Sequence, residues 1–187
     1  MQSRMRLGKR SSIGLAILAI AVASVVTVGA LSTSWSKNSE APVNINIAGL
    51  VHNPAMLSLD DLKSRESVTV EAELICVSGI SSGRHSWTGV RLNVLLSEVG
   101  VKEDVIKVAF TASDHYTTDL TLSDAMRDDV VIAYLEDGSP MSEKTRLVVP
   151  GKWGYKWISD LTEIELVDYD FLGKWEQRGY PDDATIT

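Results

Sequence analysis

The order of hydrophobic and polar residues predicts a strand at each end of the larger, C-terminal part of the chain. Near its start three apolar residues alternate with asparagine: Val43, Ile45 and Ile47. A period of two is typical of a half-buried strand, which here ends at Gly49. The same alternation recurs at Leu161–Val167. These two segments are the clearest strand signals in the sequence.

A helical period appears between them. The apolar positions are spaced by three and four residues: Leu92, Leu95, Leu96 and Val99. Gly100 suits the position just past a helix end, so we expect one helix that packs a single apolar face on a sheet. Two shorter helices are predicted to begin at serine caps, Ser58 and Ser123.

The remaining apolar runs are short and rich in β-branched residues. Residues 68–77, 105–112, 130–135 and 146–149 are predicted strands, and Asp137-Gly138 is a turn between the last two. Many short strands with few short helices indicate one β-rich α+β domain of mixed sheets. We place this domain at residues 43–187.

The first 42 residues follow a different pattern. Residues 13–31 contain no charged side chain, and a helix of that length spans roughly 28 Å of hydrocarbon, enough to cross a bilayer. Residues 1–12 are basic, which predicts a cytoplasmic N-terminus, a polar linker at 32–42 and an extracytoplasmic domain held by a single-pass anchor. The alternative is a signal peptide that is cleaved to release a secreted protein.

Charge and cysteine content narrow the function classes. The net charge is −7 although the first twelve residues carry four basic side chains and no acidic one, so the rest of the chain is more acidic than the total. An acidic domain argues against nucleic-acid binding, which needs clustered lysine and arginine. The single cysteine excludes an intramolecular disulfide.

That cysteine, Cys76, lies where an apolar run meets a Gly/Ser-rich segment that we expect to be a loop carrying Arg84 and His85. A thiolate is a soft ligand for a transition metal, and a neighbouring cation lowers the pKa of a thiol. The alternative is a buried structural thiol, because free cysteine packs as a small hydrophobe. The residues alone leave both readings open.

Two other places hold candidate chemistry. The segment from Arg146 to Lys156 combines glycines with lysines, so it could bind a phosphate, or it could be a tight turn with solvated lysines. The triplet Asp114-His115-Tyr116 could donate a proton to a substrate or could be an ordinary loop. The three histidines lack the spacing of a zinc site.

Three motifs in order extend the picture: ELICVSG, WTGVRLNVLLSEVG, and LEDGSPMSEKTRLVVPGKWGYKWISDLTEIELVDYDFLGKWEQRGY. Over roughly residues 43–180 the chain resembles the molybdopterin-binding oxidoreductase domain of the sulfite oxidase family. In that family a cysteine in this position gives molybdenum its one protein ligand, which implies Cys76. The glycine-lysine loop contacts the pterin, which implies cofactor contacts from Arg146, Gly151, Lys152, Gly154 and Lys156.

The resemblance implies a membrane-tethered molybdenum oxidoreductase that moves an oxygen atom to or from a small oxo-anion or oxide. We expect Arg84, His85 and Tyr116 on the substrate side. Because the chain carries no haem or iron–sulfur motif, a separate redox partner would be needed.

The chain also departs from the family pattern. Val77-Ser78-Gly79 replaces a common Gly-Asn-Arg run, and Ser159 stands where relatives often have a lysine. The N-terminal part of the full-length enzymes has no counterpart before Val43. These departures motivate an alternative hypothesis, a cofactor-free scaffold of the same fold that serves as an extracytoplasmic binding module.

Overall fold

The computed structural model of the protein describes residues 43–187. The predicted basic N-terminus at 1–12, the apolar segment at 13–31 and the linker at 32–42 all lie outside the described residues. Within residues 43–187, none of the helices has both the length and the apolar character needed to cross a membrane.

The first sheet has five strands in the spatial order β2, β1, β10, β5, β6. Their bounds are Asn44–Gly49 for β1, Ala55–Ser58 for β2, Lys107–Ala112 for β5, Thr117–Thr121 for β6 and Leu161–Val167 for β10. β1 and β10 run parallel, and the other neighbours are antiparallel. The two alternating segments at the ends of the domain are therefore adjacent strands of one mixed sheet.

The second sheet is antiparallel. It contains β3 (Val68–Ile75), β4 (Ser81–Arg91), β7 (Val131–Glu136) and β8 (Ser139–Pro140) in that spatial order, with β9 (Arg146–Val148) pairing with β7. Two sheets with few short helices confirm the predicted β-rich α+β class.

Residues 43–187 contain three α-helices: α1 (Leu59–Lys63), α2 (Leu92–Val99) and α3 (Leu122–Ala125). The predicted cap of α1 is confirmed, since the Ser58 hydroxyl accepts a hydrogen bond from the Asp61 amide at 3.1 Å and the Asp61 carboxylate accepts one from the Ser58 amide at 2.8 Å. The predicted cap of α3 is wrong. Thr121 has the extended backbone of a capping residue and accepts from the Asp124 amide, whereas Ser123 lies inside the helix.

The α2 helix is confirmed with its apolar face. Leu92, Leu95, Leu96 and Val99 are all buried and share one core cluster with residues of both sheets. Full burial of such a side chain stabilises the fold by about 1.5–3 kcal/mol. The helical period is visible in the sequence because one whole face of α2 packs against the core and is therefore apolar.

Strands β3 and β4 form a long hairpin whose turn carries Cys76. The Cys76 amide donates to the Ile80 carbonyl and the Gly79 amide donates to the Cys76 carbonyl, both at 2.8 Å. The loop expected after Cys76 is much shorter than predicted. Arg84 and His85 belong to β4, opposite Glu73 and Ala72, because the backbone ladder continues to the turn despite the glycine and serines.

Candidate active site

A cavity of about 400 Å³ opens beside the hairpin turn. The end of β3, the segment after β5, strand β9 and the residues before β10 all contribute to its wall. The wall is mostly apolar and aromatic, with a few polar groups: Leu74, Cys76, Val77, Ala112, Asp114, Tyr116, Arg146, Gly154, Tyr155, Trp157, Ile158, Ser159 and Trp175. Such a combination is typical of a ligand site.

Cys76 is an exposed free thiol on this wall. Hydrogen bonding from the Ser78 side chain and amide lowers the pKa of the thiol, which favours the thiolate. The structure therefore does not support the reading of Cys76 as a buried structural thiol. An accessible thiol at a cavity, with a lowered pKa, is able to ligate a metal through its deprotonated form.

Arg146 is the cation among the wall residues. Its Nε and Nη2 atoms donate to Glu143 Oε1 at 3.1 and 2.7 Å, and its Nη1 atom donates to the Trp157 carbonyl at 3.3 Å. The guanidinium carbon lies 5.8 Å from the ring centroid of the buried Trp87. Arg146 is thus held in one orientation at the edge of the cavity.

Tyr116 lies on the same wall and donates its hydroxyl proton to the Tyr155 carbonyl at 2.6 Å. Burial, followed by the negative charge of Glu176, raises the pKa of Tyr116. Tyr155 in turn donates to the Pro181 carbonyl at 2.5 Å, and burial raises its pKa to about 12. Both phenols are protonated at neutral pH.

Lys156 points away from the cavity into a buried cluster of charges. Its ammonium lies 3.1 Å from Asp119, 2.7 Å from Glu176 and 3.3 Å from Asp182. Lys107 also pairs with Asp119 and Asp182, at 3.0 and 2.7 Å. The three carboxylates are close enough together to hold a metal ion, but a lysine ammonium already lies within ion-pair distance of each of them.

The pKa directions in this charge cluster follow from burial and pairing. Burial raises the pKa of Asp119, and the nearby Lys156 opposes that effect without reversing it. Burial acts to lower the pKa of Lys107, but hydrogen bonds to Asp170, Asp182 and Asp119 outweigh it and raise the pKa. Lys107 therefore remains charged inside the fold.

Lys152 is buried at another point of the same loop. Its ammonium lies 2.7 Å from Asp183 and 3.0 Å from Asp124, and it donates to the Thr185 hydroxyl at 3.2 Å. Asp183 and Thr185 belong to the C-terminal segment. Backbone hydrogen bonds from the Trp153 amide to the Ala184 carbonyl and from the Ile186 amide to the Gly151 carbonyl hold that segment against the loop. The ammonium of Lys152 is thus occupied by groups of this chain.

The two glycines of the loop have different surroundings. Gly154 lines the cavity, and a Cβ added there would lie 3.1 Å from the Ile75 carbonyl oxygen and 3.2 Å from Leu74. Gly151 has φ of +81° and open space around it, so it allows a left-handed turn. The hairpin that carries Cys76 thus packs directly on Gly154.

Arg84 and His85 lie on β4 and are absent from the cavity wall. His85 Nδ1 lies 2.8 Å from Asp137 and 3.3 Å from Glu136, and the hydrogen bond with Asp137 is the main cause that raises the pKa of His85. The Arg84 side chain is exposed, and its Nη2 lies 3.5 Å from the Glu71 carbonyl.

The structure thus brings together four of the predicted site residues on the cavity wall: Cys76, Tyr116, Arg146 and Gly154. It does not bring the other five to that wall: Arg84, His85, Gly151, Lys152 and Lys156. Sequence reasoning missed wall residues such as Trp157, Ser159 and Trp175. The aromatic residues were visible in the motifs, but no local pattern tells a cavity wall from a core.

Comparisons with known proteins bear on the family and the fold of the chain. A family model described as the oxidoreductase molybdopterin-binding domain matches residues 33–175. The chain is 30% identical to the uncharacterized oxidoreductase YuiH of Bacillus subtilis over 141 residues, covering 73% of this chain and 71% of that protein. It is 30% identical to mitochondrial sulfite oxidase of Drosophila melanogaster, covering 66% of this chain and 27% of that one.

The crystal structure of the sulfane dehydrogenase SoxCD from Paracoccus pantotrophus has the same fold, with a TM-score of 0.63 at 24% identity, covering 67% of this chain and 38% of that one. The chain thus spans most of one relative and a minor part of the other two proteins. Family model and fold together confirm the resemblance seen in the ordered motifs. The chain belongs to the oxidoreductase molybdopterin-binding domain family, whose cofactor is the molybdenum cofactor.

Proposed function

We propose that the protein is a molybdenum-cofactor oxidoreductase that transfers an oxygen atom to or from a small oxo-compound, with Cys76 as the metal ligand. The observation that carries the proposal is the accessible, thiolate-favouring sulfur of Cys76 on a cavity that also holds Arg146 and Tyr116. Membership of an oxidoreductase family supports the reaction class.

The side chains of the cavity wall fit the cofactor at two places, its metal and one of its anionic groups. A thiolate suits molybdenum as a soft ligand, and Arg146 offers a cation with N–H groups for an oxyanion. When bound, the cofactor supplies two-electron oxygen-atom transfer. Lys152 and Lys156 stay predicted contacts to the pterin, although the ion pairs described above support a structural role for both.

The residues of this chain supply orientation, a proton donor and an apolar environment. Arg146 holds an oxyanion by charge and hydrogen bonds, and Tyr116, a residue of the cavity wall whose protonated hydroxyl donates to the Tyr155 carbonyl, is the candidate proton donor. Trp157 and Trp175 limit water at the wall, which strengthens the electrostatic interactions there. Arg84 and His85 stay predicted contacts for a substrate that extends along the hairpin.

We further propose that the domain lies on the extracytoplasmic side of a membrane and exchanges electrons with a separate redox partner. The apolar segment at 13–31, preceded by basic residues, supports the anchor and its orientation. The sequence lacks haem and iron–sulfur motifs, which supports the need for a partner. The substrate in this proposal is a small oxo-anion or oxide.

The test is the metal and pterin content of the full-length protein, purified from a host that makes the molybdenum cofactor. We expect molybdenum near stoichiometric amounts in the wild-type protein and its loss in Cys76→Ala, with thermal unfolding of the cofactor-free form unchanged because Cys76 is exposed. A Cys76→Ser variant is the isosteric control for the sulfur. Molybdenum retained by Cys76→Ala would rule out the ligand assignment.

A cofactor-free binding module is the second candidate. It is favoured by one observation, that the two lysines expected to hold the pterin are instead paired with Asp119, Glu176, Asp182 and Asp183. Wild-type protein that contains neither molybdenum nor pterin after production in the competent host would support this candidate over the enzyme.

A further inference from the structure

The guanidinium of Arg146 has five N–H groups, and the structure accounts for three of them. Two donate to Glu143 Oε1, from Nε and Nη2, and one donates from Nη1 to the Trp157 carbonyl. Within residues 43–187 the other two N–H groups, one on each Nη atom, have no protein acceptor. They belong to a side chain that lines the cavity.

Glu143 is itself fixed by its surroundings. Its Oε1 atom accepts both hydrogen bonds from Arg146, and its Oε2 atom accepts one from the Ser142 hydroxyl at 2.9 Å. The side chains of Glu143 and Arg146 are each 20% exposed, so water screens their interaction only in part. Burial acts to raise the pKa of Glu143, but hydrogen bonds from Arg146, from its own backbone amide and from Ser142, together with the charge of Arg146, outweigh burial and lower the pKa.

The ring of Trp87 adds a third constraint on the guanidinium, since it lies 5.8 Å from the guanidinium carbon. A planar guanidinium contacted by a carboxylate, a carbonyl and an aromatic ring has little freedom to rotate. Of these three partners, only Glu143 carries charge and contributes two hydrogen bonds. It is also the partner whose removal leaves the backbone and the buried core unchanged.

We propose that Glu143 is a positioning residue for the anionic part of the cofactor: it holds Arg146 so that the two remaining N–H groups bind one oxyanion. The inference rests on the proposed function, because the oxyanion is the phosphate of the cofactor. Glu143 also neutralises the guanidinium before the ligand arrives. Binding then depends on the fixed hydrogen-bond geometry more than on net charge.

The experiment is a double-mutant cycle in the full-length protein, with Glu143→Ala, Arg146→Ala and the combined variant. The measured quantity is the rate at which pterin leaves the loaded protein after dilution, followed by the fluorescence of the oxidised pterin. A hydrogen bond to a charged group is stronger than one between neutral groups. We expect Glu143→Ala to release pterin at least about tenfold faster, and the combined variant to match Arg146→Ala, because Glu143 acts through Arg146.

Two further variants separate positioning from general stability. Glu143→Gln keeps an acceptor oxygen and the shape of the side chain, so it should restore most of the retention lost in Glu143→Ala. Glu98→Ala removes a matched carboxylate–arginine pair on the surface, with Arg65 at 2.8 Å, and should leave pterin release unchanged. Equal thermal unfolding of the cofactor-free variants would exclude a loss of fold as the cause.

Several results would overturn the inference. One is a pterin release rate in Glu143→Ala equal to that of the wild-type protein. Another is a combined variant whose effect is the sum of the two single effects. The third is a Glu143→Gln variant that releases pterin as fast as Glu143→Ala. If the wild-type protein holds no pterin at all, the proposed function fails separately. The inference is then decided by titrating inorganic phosphate into the cofactor-free protein, where weaker binding in Glu143→Ala than in wild type supports it and equal or absent binding refutes it.

Discussion

Two cationic regions of the segment from β9 to β10 differ in what their side chains contact: Arg146 at the start of β9, and the two lysines of the loop that follows. Lys156 lies within ion-pair distance of three carboxylates in a cluster that excludes solvent, and Lys152 is held by Asp183 and Asp124. Among the described residues, Arg146 has Glu143 as its one carboxylate partner and two N–H groups without a protein acceptor, and it lines a cavity. The lysines are thus paired with carboxylates of this chain, whereas the arginine keeps hydrogen-bond donors that the proposed ligand would use.

The difference shows that a positive charge in a motif does not by itself identify an anion site. A buried ammonium needs carboxylates to offset its desolvation, and those carboxylates then occupy the donors that a ligand would use. A guanidinium has more donors than one carboxylate can accept, so it can be fixed by the protein and still bind a ligand. Counting donors against acceptors distinguishes the two cases.

The largest expected effect concerns the charge cluster around Lys156. Lys156→Met keeps the length of the side chain and removes its charge, which leaves Asp119 and Glu176 buried with less compensation. Breaking one partner of a buried ion pair costs about 3–5 kcal/mol, so we expect a loss of that size in the free energy of unfolding. Urea denaturation followed by far-ultraviolet circular dichroism measures it.

Lys102→Met is the matched control, because Lys102 is exposed, and it should change stability by less than about 0.5 kcal/mol. A loss in Lys156→Met no larger than that of the control would contradict the structural role of Lys156. The same variant loaded with pterin at wild-type strength would show that Lys156 is not needed for the cofactor.

A smaller effect is expected in the cavity wall. Tyr116→Phe removes the hydroxyl that donates to the Tyr155 carbonyl, and a hydrogen bond of this kind contributes about 1 kcal/mol to the free energy of unfolding. We also expect turnover of the loaded enzyme to fall, because the proton donor at the cavity is lost. Stopped-flow kinetics and urea denaturation give the two quantities.

Tyr169→Phe makes the same chemical change on a ring that is 53% exposed, and should alter neither quantity. Turnover unchanged in Tyr116→Phe, with stability lowered, would assign Tyr116 a structural role alone.

The smallest effect concerns the acid stability of the Lys152 contact. Hydrogen bonds from Lys152 and Thr185 lower the pKa of Asp183 below the usual aspartate value of about 3.9. A carboxyl whose pKa is lower in the folded state adds stability above the unfolded pKa, and this stability is lost as the pH falls through the folded pKa. The melting temperature of the wild-type protein should therefore fall below about pH 4.

Asp183→Asn should lower the melting temperature slightly at pH 7 and reduce the slope of its decline in acid, measured by differential scanning calorimetry. The shift is small because the Asp183 side chain is 74% exposed, so water screens the ion pair. If the melting temperature of Asp183→Asn declines with falling pH as steeply as that of the wild-type protein, other carboxylates cause the loss of stability in acid.

Much of the fold could be predicted because β1, β10 and the α2 helix are each defined by a local period and several other strands by short β-branched runs. Leu92 and Leu96 on one face of α2 are buried. Ile45 and Ile47, which point to the same side of β1, are buried as well. Prediction failed where neighbours decide the local structure. Arg84 and His85 were expected in a loop, yet pairing with β3 extends β4 past Gly83 almost to the turn.

The order and types of the residues are enough to identify the family, the β-rich class and the single thiol at Cys76. Which polar groups have partners depends instead on how the folded chain packs. Lys152, Lys156 and Arg146 look alike as basic residues of one motif. In the fold, however, Asp183 pairs with Lys152 and Asp119 pairs with Lys156. Desolvation and pairing depend on these distant partners, so no local pattern in the sequence reveals them.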